Sequence, residues 1–406
     1  MTRQAVILAG GQGTRLGALT RQLPKPLLPV GGSPFLDYLV WNLSRQGVDD
    51  ILISCGHLGE QIAAHFSDWR HDRTRIRTFI EPEPLGTGGA LRFLRGELQD
   101  HFLLLNGDSL FDINYLDLAI DAPILSAVMG VRLVDNAARY GRVELQEGRV
   151  VRFLEKDPAP QPGLINAGVC WMDSHLLERL PEGVSALEKA LFPHLAAEGG
   201  LFGKRYEGYF IDMGIPEDLQ RAEQELPVWR RKPAIFFDRD GVINQDHGYV
   251  CSPERFAWVT GAPQAIRWCN DHGYLVIVVT NQSGIARGYY DTAQFQSLTA
   301  WIQSELAAFG AHIDATYHCP HHPDAGEAGA ACRCRKPNPG MLEQAMAEWQ
   351  IDGSRSLLIG DNLTDVEAAR RAGIPGFLFP GEGLDHFLLG CFDTLHSRAE
   401  NPGESV

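Results

Sequence analysis

Ala5-Val6-Ile7-Leu8-Ala9-Gly10-Gly11-Gln12-Gly13-Thr14-Arg15-Leu16 sets an apolar run directly against a glycine-rich loop, and Ile235-Phe236-Phe237-Asp238-Arg239-Asp240-Gly241 repeats that arrangement later in the chain. A short unbroken apolar run closed by such a loop reads as a buried strand. From each of these openings, apolar runs alternate with amphipathic stretches, which predicts two α/β units in tandem. In the first, strands are expected at 5–9, 51–54, 76–80, 102–105, 124–131, 142–145, 150–153 and 168–172, with helices over 35–45, 88–94 and 186–197. In the second, strands are expected at 234–237, 275–279, 315–318, 356–359 and 377–379. The stretch LPVWRRKP has prolines near both ends and basic residues between them. It divides the chain into residues 1–226, a linker at 227–233, a second domain at 234–395 and a loose polar tail at 396–406. No internal repeat is visible.

The 406 residues suffice for two or three globular units, and 44% hydrophobic against 21% charged residues rules out global disorder. Thirty-six Lys and Arg stand against 51 Asp and Glu, a net charge of −15 that would repel a polyanion, so no nucleic acid partner is expected. Small phosphorylated ligands stay open, because a few focused cations or a divalent metal bind phosphate inside an acidic protein. No apolar run approaches the roughly 18 residues of a membrane span, so no membrane association is expected. The start, from Met1, reaches Gly10 and Gly11 too soon for a signal-peptide core. A cytoplasmic location is expected. Cys319, Cys332 and Cys334 cluster beside histidines, and in a reducing compartment such clustering points to metal rather than disulfides.

In the first unit the loop Gly10, Gly11, Gly13, Thr14, Arg15 follows a strand, so backbone N–H groups can approach a triphosphate while Arg15 adds charge. It lacks the Lys-Ser/Thr ending of a P-loop, and taken alone it reads equally as a tight turn. Lys25 lies in the rigid frame Pro24-Lys25-Pro26, as suits a cation held against phosphate. Glu83-Pro84-Leu85-Gly86-Thr87-Gly88-Gly89 opens a helix, and Asn106-Gly107-Asp108 lies at a strand end, where α/β sheets place ligands.

These pieces, with Asn166-Ala167-Gly168 and Phe210-Ile211-Asp212, resemble the sugar-1-phosphate nucleotidyltransferases in content and order. The resemblance covers residues 1–226 and implies a Rossmann-like, GT-A-like fold. It also implies that Gly10, Gly11, Gly13 and Thr14 cradle the nucleotide, that Arg15 and Lys25 neutralise its phosphates, and that Gly86, Thr87 and Gly88 line the base and sugar. Asn166 and Gly168 would contact the sugar, and Asp108 and Asp212 would hold Mg²⁺; the alternative for Asp212 alone is an acid that caps a helix or faces solvent. Metal, Arg and Lys together screen the repulsion between two anions brought into contact. The LGTGGAL stretch resembles the guanylyltransferase branch, which implies GTP as substrate.

In the second unit Asp238 and Asp240 sit two apart after an apolar strand, where one can attack phosphorus while the other handles the leaving-group proton. Thr280-Asn281-Gln282, Arg335-Lys336 and Gly360-Asp361-Asn362 follow at expected strand ends or the loops beyond. This ordered set resembles the haloacid-dehalogenase (HAD) phosphatases, and implies a HAD-like Rossmannoid fold. Asp238 would be the nucleophile, Asp240 the general acid and then base, and Thr280 and Lys336 the holders of the phosphoryl oxygens. Asp361, with Asp238 and the main-chain carbonyl of Asp240, would bind Mg²⁺. Asp365 is either a supporting acid or a plain helix residue.

Cys319-Pro320-His321, followed after ten residues by Cys332-Arg333-Cys334, supplies three sulfurs and an imidazole, a closed set suited to structural Zn²⁺. His322 is read as a bystander. The zinc loop, with Asn244 to Val250 after the nucleophile, resembles the D,D-heptose 1,7-bisphosphate phosphatases and their histidinol-phosphatase relatives. That resemblance implies substrate contacts from Asp246, Gly248, Tyr249, Asn281, Gln282 and Arg335, with Arg335 on the second phosphate; Tyr249 could instead pack on the zinc loop. Removing the 7-phosphate leaves a sugar 1-phosphate, the substrate class of the first unit, so the expected partners are small phosphosugars and a nucleoside triphosphate. The alternatives are another sugar or base with the same two chemistries, or one domain that regulates without catalysing. Oligomeric state is left open.

Overall fold

The computed structural model describes residues 3–69, 74–154, 159–322 and 332–400. The chain separates into two units, Met1–Trp229 and Arg230–Val406.

The first unit is built on a nine-stranded mixed sheet. Across the sheet the strands run Arg75–Ile80, Asp50–Cys55, Gln4–Ala9, His101–Asn106, Gly163–Asp173, Ala127–Val134, Leu201–Arg205, Arg149–Leu154 and Arg142–Gln146. The first four are parallel, and Gly163–Asp173 is antiparallel to both its neighbours. Both faces are covered, which is why these strands read as continuous apolar runs. Ala5, Ile7 and Ala9 enter one core together with Ile51, Ile53, Leu103 and Leu105. Val6, Leu52, Phe102 and Leu104 enter the other. The helix Phe35–Arg45 covers the first face through Leu36, Leu39, Val40 and Leu43, the i, i+3, i+4, i+7 stripe of an amphipathic helix.

The second unit carries a five-stranded parallel sheet in the order Ala315–Cys319, Leu275–Asn281, Ala234–Phe237, Leu357–Gly360, Gly376–Leu378. Its two cores alternate in the same way, with Ile235, Phe237, Val276, Val278, Leu357 and Ile359 on one face. Phe236, Ile277, Val279 and Leu358 fill the other. Phe237 is fully buried, and its loss to Ala would cost about 3–5 kcal/mol.

In both sheets the earliest strand lies inside, with later strands added on either side, and the chain reverses direction of addition beside it. Ligands bind outside the carboxyl ends of strands at such switch points. Gly10 and Asp108 follow adjacent strands at one, and Asp238 and Asp361 follow adjacent strands at the other.

Several expectations are corrected. The strand placed at 124–131 begins at Ala127, because Leu125 takes a left-handed conformation (φ 55°) and its N–H is held by Asp173. The helix placed at 186–197 is two short pieces, Leu187–Ala190 and Phe192–Glu198, with Pro193 in the first turn of the second. The linker placed at 227–233 is helical as far as Arg230, in a helix that starts at Pro216. Pro227 packs on Gly31, where a Cβ would come within 2.2 Å of its ring, and the Trp229 indole donates to Asp112 at 2.8 Å and packs edge-on against Trp41. Aromatic burial thus overrides the proline that suggested a break. The tail placed from 396 is helical through Glu400, ahead of Asn401-Pro402, a sequence that disfavours further helix; residues 401–406 lie outside the described residues.

Candidate active sites

In the first unit, the antiparallel ribbon Ser109–Phe111 with Phe210–Asp212 sets Asp212 opposite Ser109, and the Met213 N–H donates to the Asp108 carbonyl at 2.9 Å. Asp108 and Asp212, 104 positions apart in the expected motif order, are thereby brought together. Lys25 is buried, and its ammonium donates to Asp108 Oδ2 at 2.5 Å. Asp212 Oδ1 is buried with no hydrogen-bond partner among the described residues. Burial foremost, and then the Asp108 charge, push the Asp212 carboxyl up to about 6 against the opposing pull of Lys25 and Arg139. A buried carboxylate oxygen without a donor, beside a second carboxylate, fits a divalent cation.

The loop above these acids needs its glycines. Gly13 is left-handed (φ 62°), and a Cβ there would lie 2.8 Å from the Thr20 methyl. A Cβ on Gly10 would lie 2.8 Å from Glu81 Oε1, a carboxylate that accepts from the Ser54 hydroxyl and the Leu85 N–H. Gly11, Thr14 and Arg15 are exposed on the loop. Part of the Gly86–Gly88 turn is tied to the segment around Ser185 and Glu188. The Gly88 N–H donates to the Ser185 carbonyl at 2.9 Å, and the Thr87 hydroxyl donates to Glu188 at 3.0 Å while accepting from the Leu187 N–H. Thr87, Asn106, Asn166, Gly168 and Glu188 line one cavity. A bulge in Gly163–Asp173 between Asn166 and Cys170 makes this convergence, with Gly168 left-handed against Asn106. Glu188 was missed, since a lone acid at a helix start carries no sequence pattern.

In the second unit, Lys336 is 3% exposed, and its ammonium reaches Asp238 at 2.8 Å, Asp365 at 2.7 Å and the Val279 carbonyl at 2.8 Å. Burial works against that charge, but Asp238 and Asp365 outweigh it and hold the lysine above its ordinary range. Burial raises Asp238 to about 6, with Lys336 pulling down and Asp365 pushing up. Asp361 is also raised, by burial and then by Asp365. Carboxylate oxygens of Asp238, Asp361 and Asp365 lie within 4.8 Å of one another, a donor set that fits a divalent cation. Asp365 Oδ2 accepts the Asn362 N–H, which completes a capping box and fixes the acid in place.

Two residues expected to touch substrate do other work. Gln282 is 2% exposed; its amide donates to Asp240 Oδ2 at 2.9 Å and Thr280 Oγ1 at 2.8 Å, and its carbonyl accepts from Tyr290. It therefore ties Asp240 to Thr280, and because Thr280 accepts that bond, its own O–H stays available to donate. Asn281 brackets the Lys336 backbone, donating to the carbonyl at 3.2 Å and accepting from the N–H at 3.1 Å. Asp246 accepts from the Gly248 N–H and contributes to raising Asp361, which places it near the acids. Tyr249 is left-handed (φ 53°), an uncommon conformation for a bulky residue, and half-exposed against Tyr289 at 4.7 Å between ring centres. Tyr289 was not foreseen.

Cys319, His321, Cys332 and Cys334 converge, with His321 Nδ1 at 3.1 Å from Cys332, 3.3 Å from Cys334 and 3.6 Å from Cys319. Three thiols and one imidazole nitrogen on a common centre form a donor set that fits a tetrahedral metal. His322 turns away to Arg287, while Arg335 donates to the His321 carbonyl at 3.3 Å. Residues 323–331 of the loop lie outside the described residues. No helix among the described residues is long and apolar enough to cross a membrane.

The first unit thus sets a glycine loop at the strand end next to paired acids, and the second sets a strand-end aspartate against a buried lysine. The chain is accordingly a two-domain α/β enzyme that couples a nucleotidyltransferase unit to a HAD-like phosphatase unit. The nucleotidyl transferase family model matches residues 4–227, and a HAD-hydrolase-like model matches residues 333–382. The second unit is 48% identical over 161 residues to a D-glycero-beta-D-manno-heptose-1,7-bisphosphate 7-phosphatase of Rhodopseudomonas palustris, covering 39% of this chain and 89% of that one. The first is similar to the crystal structure of HddC from Yersinia pseudotuberculosis, solved also in complex with GMP-PN, at 30% identity and a TM-score of 0.50, covering 55% of this chain and 99% of that one. The chain belongs to the nucleotidyl transferase family and, through its second unit, to the family of heptose-1,7-bisphosphate 7-phosphatases.

Proposed function

We propose that the two units catalyse consecutive steps. The second removes the 7-phosphate of D-glycero-D-manno-heptose 1,7-bisphosphate, and the first transfers GMP from GTP to the resulting heptose 1-phosphate, releasing pyrophosphate and GDP-heptose. The observation that carries this reading is the pairing itself, since a phosphatase similar to the heptose bisphosphate enzymes makes the sugar 1-phosphate that a nucleotidyltransferase consumes. The likeness to a protein solved with GMP-PN supports guanine as the base.

In the phosphatase, an Asp238 oxygen attacks the C7 phosphorus and the bond to the sugar oxygen breaks as Asp240 gives that oxygen its proton. Asp240 then takes a proton from water as the water oxygen attacks the aspartyl-phosphate, which releases orthophosphate and restores Asp238. Lys336 and the free Thr280 O–H hold phosphoryl oxygens, with Arg335, Asp246, Gly248 and Tyr249 on the rest of the substrate. In the transferase, Arg15 and Lys25 balance the triphosphate, while Gly10, Gly11, Gly13 and Thr14 bring backbone N–H groups to it. Asn166 and Gly168, with Glu188 beside them, contact the sugar, whose 1-phosphate oxygen attacks the α-phosphorus and expels pyrophosphate.

Asp108 and Asp212 in one site, and Asp238, Asp361 and the Asp240 carbonyl in the other, would hold Mg²⁺, which neutralises phosphate charge. Cys319, His321, Cys332 and Cys334 would hold a structural Zn²⁺ that orders the segment leading to Arg335 and Lys336. A reduced thiol set suits a cytoplasmic enzyme. The test supplies the purified chain and Mg²⁺ with heptose 1,7-bisphosphate and each nucleoside triphosphate in turn. Orthophosphate, pyrophosphate and GDP-heptose with GTP alone are expected; orthophosphate with no nucleotide sugar would refute the assigned sugar or base.

A further inference from the structure

Arg239 stands between the two aspartates of the phosphatase and belongs to neither role assigned so far. Its backbone N–H donates to Asp238 Oδ1 at 2.7 Å. Its guanidinium Nη2 meets both Asp240 oxygens, at 3.0 and 2.9 Å, and also donates to the Val250 carbonyl at 2.7 Å and reaches Gln282 Oε1 at 3.3 Å. The side chain is 2% exposed, and its charged carbon lies 5.6 Å from the centre of the Phe295 ring. Asn244 and Gln282 complete the grip on Asp240 with amide donors at 3.0 and 2.9 Å.

A carboxylate that first gives a proton and then takes one must face the leaving oxygen in one half-reaction and water in the next. Its orientation is therefore part of the rate. Arg239 is also poorly arranged for stability alone. Its Nε and Nη1 are buried without a hydrogen-bond partner among the described residues, a cost that an arginine retained purely for fold stability would not be expected to carry. We propose that Arg239 is the positioning residue of Asp240, one backbone-to-side-chain unit that registers the acid–base carboxylate against the nucleophile. This rests on Asp240 being the general acid and base. A lysine could not substitute, because an ammonium supplies neither the broad, weakly hydrated cation set over the Phe295 ring nor a donor held in a fixed plane.

The test is a double-mutant cycle in the full chain, loaded with Zn²⁺ and Mg²⁺, with orthophosphate release from heptose 1,7-bisphosphate as the readout. Arg239→Met is expected to lower kcat by about 30- to 100-fold, a loss no larger than the lower end of the roughly 100- to 10,000-fold that general acid–base catalysis supplies, with KM changed less than about twofold. Arg239→Lys is expected to fall nearly as far. In an Asp240→Asn background the same Arg239→Met change is expected to cost less than about threefold, because the group through which Arg239 acts is already gone. An equal loss in both backgrounds, or full activity in Arg239→Lys, would overturn the proposal while leaving Asp240 as acid and base. An undiminished kcat in Asp240→Asn alone would overturn the acid–base reading and, with it, this inference. Should Arg239→Met not fold, Phe295→Leu loosens the guanidinium from outside the network. A several-fold fall in kcat, absent in the Asp240→Asn background, is expected, and no fall would overturn the proposal.

Discussion

Replacing Asp212 by Asn should stabilise the metal-free first unit while abolishing nucleotidyl transfer. The Asp212 carboxyl is raised from 3.8 to about 6, by burial first and by Asp108 second. A carboxyl whose folded value lies above its unfolded one penalises the fold where it is ionised. The penalty is fully present above about pH 6 and has vanished below about pH 4. At 1.36 kcal/mol per unit, the shift corresponds to a penalty on the order of 3 kcal/mol at pH 8. The asparagine amide recovers only part of this, since Oδ1 has no donor among the described residues and an unpaired buried amide costs about 1–3 kcal/mol. The difference is about 0–2 kcal/mol, with about 1 kcal/mol as its central value, which for a unit of this size raises Tm by roughly 2–4 °C. Calorimetry of both proteins in EDTA at pH 8 and pH 5 tests this. The gain should appear at pH 8 and shrink at pH 5; a variant less stable at pH 8 would refute the claim that Asp212 is held ionised against its surroundings.

Four further outcomes follow from the same geometry. Gln282→Leu should lower kcat for orthophosphate release by about 10- to 100-fold, the worth of one hydrogen bond to a charged group, and leave KM nearly unchanged; a raised KM at constant kcat would return Gln282 to the substrate. Cys332→Ser should cut a zinc content of about one per chain, measured by elemental analysis, and with it phosphatase activity; unchanged zinc would remove the four-donor site. Because Asp212 and Asp238 sit near 6 without metal, Mg²⁺ added at pH 6 should release protons, and at pH 8 nearly none, in weakly buffered solution; equal release at both would contradict those values. Glu188→Gln should raise KM for heptose 1-phosphate in the transfer reaction several-fold, read by pyrophosphate release, without altering phosphatase kinetics.

Strands and motif ends were legible because buried parallel strands are apolar throughout and glycine or aspartate must follow them. Gln4–Ala9, Ala234–Phe237 and Leu275–Asn281 lie where their apolar runs lie, within a residue or two. What escaped depends on partners distant in sequence. The ribbon Ser109–Phe111 with Phe210–Asp212 is too short to show a pattern, yet it brings Asp108 and Asp212 together. Leu226 to Pro233 looked like a break because proline and charge dominate it locally, whereas Trp229 is held by Asp112, 117 positions earlier. Gln282 and Asn281 were read as substrate contacts from their place after a strand. Their side chains point instead to Asp240 and to the backbone of Lys336, a choice made by packing that sequence order does not encode.

Two independent sites acting in sequence require that Asp238→Asn lose one substrate and keep the other. The variant is supplied with Mg²⁺ and GTP, once with heptose 1,7-bisphosphate and once with heptose 1-phosphate, and the nucleotide sugar is followed by mass. GDP-heptose from the monophosphate at the unaltered rate, and none from the bisphosphate, is the predicted result. Loss of both, or GDP-heptose from the bisphosphate, would contradict it.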